Sequence, residues 1–257
     1  MTNPPRILII AGSDSGGGAG IQADIKTVTM LGGHAMTAIT VITAQNTLGV
    51  QAVMPVPAEM VVAQIDSVVG DIGVDAVKIG MIGSPETAHA VAARLESLAV
   101  PIVFDPVMVA TSGSVLADAA TIAAFGRLMR LASVVTPNIP ELEALGGEEA
   151  VLSHGCHLVA KGGHAEGHWI VDRLLSPSGP LSHVEAKRFD TDDTHGTGCT
   201  LSSALACGLG AGLPIERAFK QAIRFVRIAI LEAPGLGQGN GPLGHQSVTD
   251  FQWEEPD

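Results

Sequence analysis

The strongest chemical signal in the sequence is a short glycine-rich segment that runs directly into an apolar helix. Residues 192–200 read Asp-Asp-Thr-His-Gly-Thr-Gly-Cys-Thr, and Gly196 and Gly198 permit an unusual backbone there. The first amides of a helix have no partners inside it, so they form an anion cradle backed by the helix dipole. Cys199 lies at the helix start, where a thiolate is favoured, and His195 lies four residues earlier. The segment predicts a phosphate site beside a reactive sulfur, with a buried, inert cysteine as the alternative for Cys199.

Charged and polar side chains also follow several predicted strands. Asp105 ends one buried strand, Asn138 and Glu141 follow the next, and Lys161 ends a further one. Carboxylates at the ligand-binding edge of a parallel sheet are natural Mg²⁺ ligands, usually through water, when phosphates supply the other oxygens. Asn138 and Glu141 fit equally well as a helix cap with its first-turn acid, and the two roles are compatible. The set predicts phosphoryl transfer, although the P-loop pattern is absent from the sequence.

A second glycine-rich loop occupies residues 12–20, between a predicted strand and a predicted helix. Such a loop brings backbone amides close to an anion or a flat ligand, and a tight turn alone is the alternative. Residues 18–23 fit the relaxed dinucleotide pattern G-x-G-x-x-A, which normally needs an acid after the second strand. No Asp or Glu occurs between Asp24 and Glu59, so the sequence argues against a nicotinamide cofactor.

Composition excludes several classes of protein. The chain has 257 residues, a formal net charge of −12 and 3% aromatic residues, which is unlike a nucleic-acid binder with clustered cations and stacking rings. It has no apolar run of the roughly 18 residues that a membrane helix needs. Its start lacks the order of a signal peptide, and its three cysteines are too few for a disulfide scaffold. We therefore expect a reduced, soluble, cytoplasmic protein without membrane or nucleic-acid partners.

Apolar runs of strand length alternate with helical patterns, which predicts a parallel sheet with helices on both faces. No linker or repeat divides the sequence, so we expect one α/β domain over residues 1–257, with a Gly-rich tail from about residue 234. The predicted strands cover residues 7–11, 36–44, 50–56, 76–79, 102–104, 133–135, 158–160, 169–174 and 182–188. The predicted helices cover residues 20–31, 58–72, 84–98, 118–131, two short segments within 140–154, 198–210 and 214–232. The loops that follow residues 11, 44, 79, 104, 135 and 160 are expected to share one edge of the sheet.

Seven motifs in succession, with a Gly-rich ending, are typical of one enzyme family. They read Ala11-Gly12-Ser13-Asp14 with residues 16–26, Thr43-Ala44-Gln45-Asn46-Thr47, Lys78-Ile79-Gly80-Met81, Asp105-Pro106-Val107-Met108, Thr136-Pro137-Asn138 with Glu141, Lys161-Gly162-Gly163-His164, and residues 194–200. From about residue 6 to 245, the sequence resembles the hydroxymethylpyrimidine/phosphomethylpyrimidine kinases. These form the thiamine-pathway branch of the ribokinase-like superfamily.

The resemblance implies a fold, a reaction and cofactors. The fold would be the ribokinase-like three-layer α/β/α sandwich with a mostly parallel central sheet. The reaction would transfer the γ-phosphoryl group of ATP to the hydroxymethyl group of 4-amino-5-hydroxymethyl-2-methylpyrimidine. A second transfer, onto the monophosphate, would follow. ATP and Mg²⁺ are the implied cofactors.

The resemblance also implies roles for individual residues. Gln45 would hydrogen-bond the aminopyrimidine, since its amide both donates and accepts. The other implied contacts of the ring are Asp24, Gly12, Met81 and Val107. Cys199, aided by His195, would accept the hydroxyl proton in the place where sugar kinases carry an Asp base. Implied contacts with the phosphates and the nucleotide come from Lys161, Asn138, Thr194, Gly196 and Gly198, and Asp105 and Glu141 would position Mg²⁺ or its waters.

Two other functions compete with this interpretation. Pyridoxal or pyridoxine kinase activity, alone or as a side activity, belongs to a closely similar family, although Gln45 favours the pyrimidine. A catalytically silent module that senses a pyrimidine or a vitamin would keep Gln45 and Asp24, but it would have no need of Lys161 or Cys199.

Three further features bear on the expected site and assembly. The stretch from residue 138 to 161 is shorter than is common in the family, so a helix near the nucleotide is expected to be trimmed. Asp190, Asp192 and Asp193 lie beside the predicted cradle and would repel ATP unless Mg²⁺ or an outward orientation relieves them. The alternating strand at residues 50–56 offers an exposed edge, which predicts a homodimer.

Overall fold

Strands and helices alternate through the described part of the chain, which in the computed structural model comprises residues 3–110, 113–164, 167–249 and 251. The strands there are β1 Arg6–Asp14, β2 His34–Asn46, β3 Gly49–Pro55, β4 Ala76–Ile79, β5 Ile102–Phe104, β6 Val134–Val135, β7 His157–Ala160, β8 Trp169–Ser176 and β9 Gly179–Lys187. The α-helices are α1 Gly20–Met30, α2 Ala58–Asp71, α3 Pro85–Leu95, α4 Ala119–Leu131, α5 Ile139–Ala144, α6 Glu148–Leu152, α7 Thr197–Gly210 and α8 Ile215–Leu231.

The strands form one mixed sheet in the order β3-β2-β1-β4-β5-β6-β7-β8-β9. Strands β2, β1, β4, β5, β6 and β7 run parallel to their neighbours, whereas β3 pairs antiparallel with β2 at one edge. At the other edge, β8 pairs antiparallel with β7, and β9 with β8. The predicted mostly parallel sheet is confirmed, and its antiparallel pairs lie at the two sides.

Alternation along the central strands explains the three layers. Leu8 and Ile10 of β1 belong to one core cluster, which also holds Val61 of α2 and Phe125 of α4. Ile7 and Ile9 belong to the other, together with residues of α1, α7 and α8. Successive side chains of a strand point to opposite faces, so a fully apolar strand must be covered on both sides. The chain is therefore an α/β/α sandwich, as predicted.

The strand and helix positions predicted from the sequence are confirmed, with shifts of a few residues at their ends. Among the differences, β1 and β2 continue beyond their apolar runs to Asp14 and Asn46. Polar residues continue these strands because β1 pairs with β2 as far as Asp14, and β2 pairs with β3 as far as Asn46. None of the described helices has the length and apolarity needed to cross a membrane.

Candidate active site

The carboxyl ends of the parallel strands open into one cavity of about 960 Å³. Its lining comes from the loops that follow β1, β2, β4, β5, β6 and β7, and from the start of α7. The expectation that these loops share one edge is thus confirmed. The lining includes every residue singled out for the site except Asp24: Gly12, Gln45, Met81, Asp105, Val107, Asn138, Glu141, Lys161, Thr194, His195, Gly196, Gly198 and Cys199.

The start of α7 requires glycine at Gly196. This residue caps the helix with φ of 90° in the left-handed region, and a Cβ there would clash with the carbonyl oxygen of Gly18. At Gly198, a Cβ would lie 3.2 Å from Lys161 Nζ and 3.5 Å from Asp105 Oδ2. The backbone at the helix start therefore lies directly beside the charged groups of the neighbouring strand ends, as a phosphate cradle requires.

Lys161 is held above the sheet by two carboxylates. Its Nζ lies 2.8 Å from Asp105 Oδ1 and 3.9 Å from Glu141 Oε2. Thr136 Oγ1 donates to the same Asp105 oxygen at 3.1 Å. Burial alone would lower the pKa of Lys161, but the charges of Asp105 and Glu141 raise it above its ordinary value. The ammonium is therefore a fixed positive charge at the cavity wall.

Asn138 and Glu141 form the capping arrangement that the sequence allows. Asn138 Oδ1 accepts from the Glu141 amide at 2.9 Å, and Glu141 Oε2 accepts from the Asn138 amide at 2.8 Å. Burial raises the pKa of Glu141, while the charge of Lys161 opposes the rise. Glu141 caps the helix and also lines the cavity. Its capping role is therefore established, and a role in positioning Mg²⁺ or its waters stays compatible with it.

The carboxylates suit a metal ion that shares its ligands with a substrate. Asp105 and Glu141 both line the cavity near Lys161, and hard oxygen donors are what Mg²⁺ prefers. Among the described residues, no three His, Cys, Asp or Glu side chains are grouped closely enough to hold a metal by themselves. The donors therefore fit a Mg²⁺ ion completed by water and phosphate oxygens.

The pKa of the Cys199 thiol is shifted in the direction opposite to the one expected at a helix start. The sequence predicts a thiolate at the helix start, but burial raises the pKa of the thiol to about 11, even though Lys78 favours the charged form. The Gly20 amide donates to the sulfur and also favours the thiolate, without reversing the shift. Desolvation thus outweighs the helix terminus and favours the thiol form over the predicted resting thiolate.

This charge state predicts a steep pH dependence of thiol modification. Only the thiolate reacts with iodoacetamide, so the alkylation rate of Cys199 should rise about tenfold per pH unit from about pH 7 to 10, without a plateau. Mass spectrometry of the modified peptide follows the residue directly, and a Cys199→Ser variant reports the background from Cys156 and Cys207. A plateau at neutral pH would restore the thiolate hypothesis.

Asp14 organises the first glycine-rich loop. Its carboxylate accepts from the amides of Gly16 at 2.7 Å, Gly18 at 3.1 Å and Ala19 at 2.8 Å. His195 Nε2 lies 2.9 Å from the same carboxylate. Burial alone would raise the pKa of Asp14, but the hydrogen bonds from His195 and from the loop amides lower it. The two glycine-rich segments of the sequence are thus joined through one carboxylate.

His195 Nε2 has a second neighbour, the amide nitrogen of Gln45, at 3.2 Å. His195 is nearly buried, and its backbone N–H donates to the carbonyl of Gly241 at 3.1 Å in the C-terminal tail. This edge of the ring therefore faces the Asp14 carboxylate and the Gln45 amide. The predicted assistance of Cys199 by His195 stays a prediction beside these contacts.

Asp24 does not line the cavity. Its carboxylate is fully buried and lies 2.8 and 2.9 Å from Lys78 Nζ, and Ser203 Oγ donates to it at 2.6 Å. Burial alone would lower the pKa of Lys78, but the charge of Asp24, followed by those of Cys199 and Asp105, raises it. Lys78 itself lines the cavity. The ammonium thus separates Asp24 from the site, contrary to the expected contact with a ring.

The acidic cluster beside α7 points away from the cavity. Asp190 and Asp192 are exposed, Asp193 is half-buried, and none of the three is among the residues that line the cavity. Their neighbours Arg188, Phe189, Thr191 and Thr194 supply the lining instead. The outward orientation removes the repulsion that the sequence suggests.

Three residues that line the cavity had no site role predicted from the sequence: Asp14, Lys78 and Thr43. Asp14 stands in a quoted motif, but only the fold shows that it bonds residues of both glycine-rich segments. Lys78 carried a detectable signal, because a lysine within the buried strand β4 needs a partner. Thr43 Oγ1 lies 3.1 Å from Gln45 Oε1, a contact that the i, i+2 spacing in a strand permits without predicting it.

Comparison with known proteins identifies relatives along nearly the whole chain. A family model described as phosphomethylpyrimidine kinase matches residues 14–244. A hydroxymethylpyrimidine/phosphomethylpyrimidine kinase of Rhizobium meliloti is 46% identical over 255 residues, covering 93% of this chain and 96% of the relative. The thiamine biosynthesis multifunctional protein ThiED of Corynebacterium efficiens is 42% identical over 262 residues. That match covers 95% of this chain and 36% of the longer relative.

The solved structures agree in fold. The ADP complex of Bacillus subtilis pyridoxal kinase has a TM-score of 0.87 at 32% identity, covering 96% of this chain and 99% of that chain. Fold and cavity together define a ribokinase-like kinase. The chain belongs to the phosphomethylpyrimidine kinase family.

Proposed function

We propose that the chain transfers the γ-phosphoryl group of ATP to the hydroxymethyl group of 4-amino-5-hydroxymethyl-2-methylpyrimidine, and then to the resulting monophosphate. The observation that carries the proposal is the convergence on one cavity of Gln45, suited to an aminopyrimidine, and of Lys161 and the Gly196–Gly198 turn, suited to phosphates. The family membership supports the same reaction, as does the name of the Rhizobium relative.

Residues at one end of the cavity would bind the ring. Gln45 offers a donor and an acceptor to an aminopyrimidine edge, and Met81 and Val107 supply apolar walls. Gly12 lies against the Met81 wall, where a Cβ would be 3.2 Å from the Met81 sulfur, and it would contact the ring through its backbone. The substrate hydroxymethyl group would then point toward the start of α7.

Residues at the other end would hold the phosphates. Lys161 and the amides at Gly196 and Gly198 would balance charge on the migrating phosphoryl group. Thr194 and Asn138 also line the cavity and would contact the nucleotide. Mg²⁺, held through water by Asp105 and Glu141, would neutralise phosphate charge.

Cys199 would receive the proton. As the hydroxyl oxygen bonds to the γ-phosphorus and the bond to ADP breaks, the hydroxyl proton passes to the sulfur in its thiolate form. Burial keeps that form scarce at neutral pH, so turnover is expected to increase with pH. Positioning and charge neutralisation supply most of the barrier reduction, because the proton moves late in a loose transition state.

A second candidate function is phosphorylation of pyridoxal, favoured by the TM-score of 0.87 to a pyridoxal kinase. ATP turnover with hydroxymethylpyrimidine, its monophosphate and pyridoxal, assayed side by side, separates the two. We expect the two pyrimidines to have the higher kcat/KM, and a Gln45→Leu variant to lose activity with them. Turnover of pyridoxal alone would overturn the choice of substrate.

We also propose that two copies of the chain associate through the β3 edge of the sheet. Large apolar side chains are exposed there, with Val53 at 49%, Met54 at 58% and, on the neighbouring strand, Ile42 at 42%. Burying such a patch against a second copy would stabilise a dimer. The molar mass in solution, measured by light scattering, tests the assembly.

A further inference from the structure

The Gln45 amide lies between two hydrogen-bonding side chains. Its Nε2 lies 3.2 Å from His195 Nε2, and its Oε1 lies 3.1 Å from Thr43 Oγ1. The two ends of a glutamine amide have nearly the same shape, so the hydrogens of their neighbours decide which end carries the oxygen. The two neighbours are His195 and Thr43, and each of them donates its hydrogen to a different acceptor.

His195 Nε2 donates its hydrogen to the Asp14 carboxylate. Oδ2 of this carboxylate accepts from the amides of Gly18 and Ala19, and it lies 2.9 Å from His195 Nε2. A carboxylate that accepts backbone donors and has a lowered pKa is ionised, so the short contact with His195 requires a hydrogen on Nε2. A nitrogen that carries a hydrogen cannot accept one from Gln45. The amide oxygen, in contrast, can share the hydrogen that Nε2 donates to Asp14, so this contact favours the amide oxygen on the His195 side.

Thr43 leads independently to the same orientation. Its Oγ1 lies 2.9 Å from the backbone carbonyl oxygen of Ser13, a group that can only accept. Thr43 therefore donates its single hydroxyl hydrogen to Ser13. Toward Gln45, Thr43 Oγ1 then acts as an acceptor, which requires the amide nitrogen on the Thr43 side. Thr43 is 5% exposed and His195 8% exposed, so bulk water offers neither a ready alternative partner.

We propose that His195 and Thr43 are positioning residues that hold Gln45 with its amide oxygen toward His195 and its amide nitrogen toward Thr43. A held amide presents one order of donor and acceptor to a ligand, whereas a free amide rotates and presents either. This inference rests on the proposed function. An aminopyrimidine has an acceptor nitrogen beside a donor amino group, and the 4-oxo form of the same ring has the opposite order.

The test compares the 4-amino substrate with its 4-oxo counterpart, which differs only in that order. We expect the wild-type chain to prefer the amino form, and the variants Thr43→Val and His195→Phe to reduce the ratio of the two kcat/KM values by about tenfold or more. Thr43→Ser retains the hydroxyl and should keep the wild-type preference. Where the 4-oxo form is not turned over, its inhibition constant supplies the ratio. Thr43→Val keeps the test decisive if His195→Phe does not fold.

A double-mutant cycle separates positioning from a general structural role. Because Gln45→Leu is expected to lose activity, the ratio in this background is taken from the dissociation constants of the two rings; Thr43→Val should leave it unchanged there, since the amide that it orients is gone. An unchanged ratio in both single variants, with turnover of both rings lowered alike, would overturn the inference and leave the proposed function intact. A wild-type chain that phosphorylates neither pyrimidine would instead contradict the proposed function itself.

Discussion

Replacing Cys199 with alanine lowers kcat for the pyrimidine by about 10²- to 10⁴-fold, the range that a positioned proton acceptor contributes. The Kd for ATP, measured by calorimetry, stays within a few fold of the wild-type value, since the phosphate contacts are assigned to Lys161 and to the backbone of Gly196 and Gly198. The reason is geometric: Cys199 lines the cavity at the start of α7, beside that backbone. The variant therefore loses the proton acceptor and keeps the cradle.

Cys207 provides the matched control, because it lies in the same helix but is fully buried in the core and does not line the cavity. Cys207→Ala should lower stability without lowering kcat by a comparable factor. The increase of turnover with pH should also disappear in Cys199→Ala, which no longer has the titrating sulfur. Equal kcat in Cys199→Ala and the wild-type chain would remove Cys199 from the reaction.

The edge of the sheet that holds the site could be predicted from the sequence because strand ends are local features. The apolar runs that end before Asp105, Asn138 and Lys161 each indicate a buried strand, and parallel strands bring their carboxyl ends together. Gly196 could be identified in the same way, since a left-handed backbone before a helix favours glycine. These predictions needed no knowledge of which distant segments touch.

Properties that depend on distant segments could not be predicted. The pKa of Cys199 is raised by desolvation at a site that the first glycine-rich loop, about 180 residues earlier in the sequence, also lines, and that desolvation outweighs the local effect of the helix terminus. The pairing of Asp24 with Lys78 joins α1 to the central strand β4 across 54 positions. From the sequence, Asp24 was expected to contact a ligand. In the fold its charge is instead balanced by Lys78.

Replacing Lys78 with methionine should lower the free energy of unfolding by about 3–5 kcal/mol, the usual cost of leaving one partner of a buried ion pair uncompensated. Both side chains of the pair are fully buried. Methionine fills much of the space of the lysine stem but leaves the Asp24 carboxylate with Ser203 as its remaining hydrogen-bond donor among those described above. Urea unfolding, with the midpoint and slope compared between variants, measures the loss.

Two further variants show whether the loss of stability comes from the unpaired buried charge or from replacing any lysine. Lys220→Met removes an exposed lysine of α8 and should change the unfolding free energy by no more than about 0.5 kcal/mol. The double variant Asp24→Asn/Lys78→Met removes both charges, so it should recover roughly half or more of the stability lost by Lys78→Met alone. Unfolding of Lys78→Met at the same urea concentration as Lys220→Met would mean that the pair does not stabilise the fold. A double variant less stable than Lys78→Met would mean that Asp24 has a stabilising role apart from its charge partner, in which case Ser203 would be the contact to examine next.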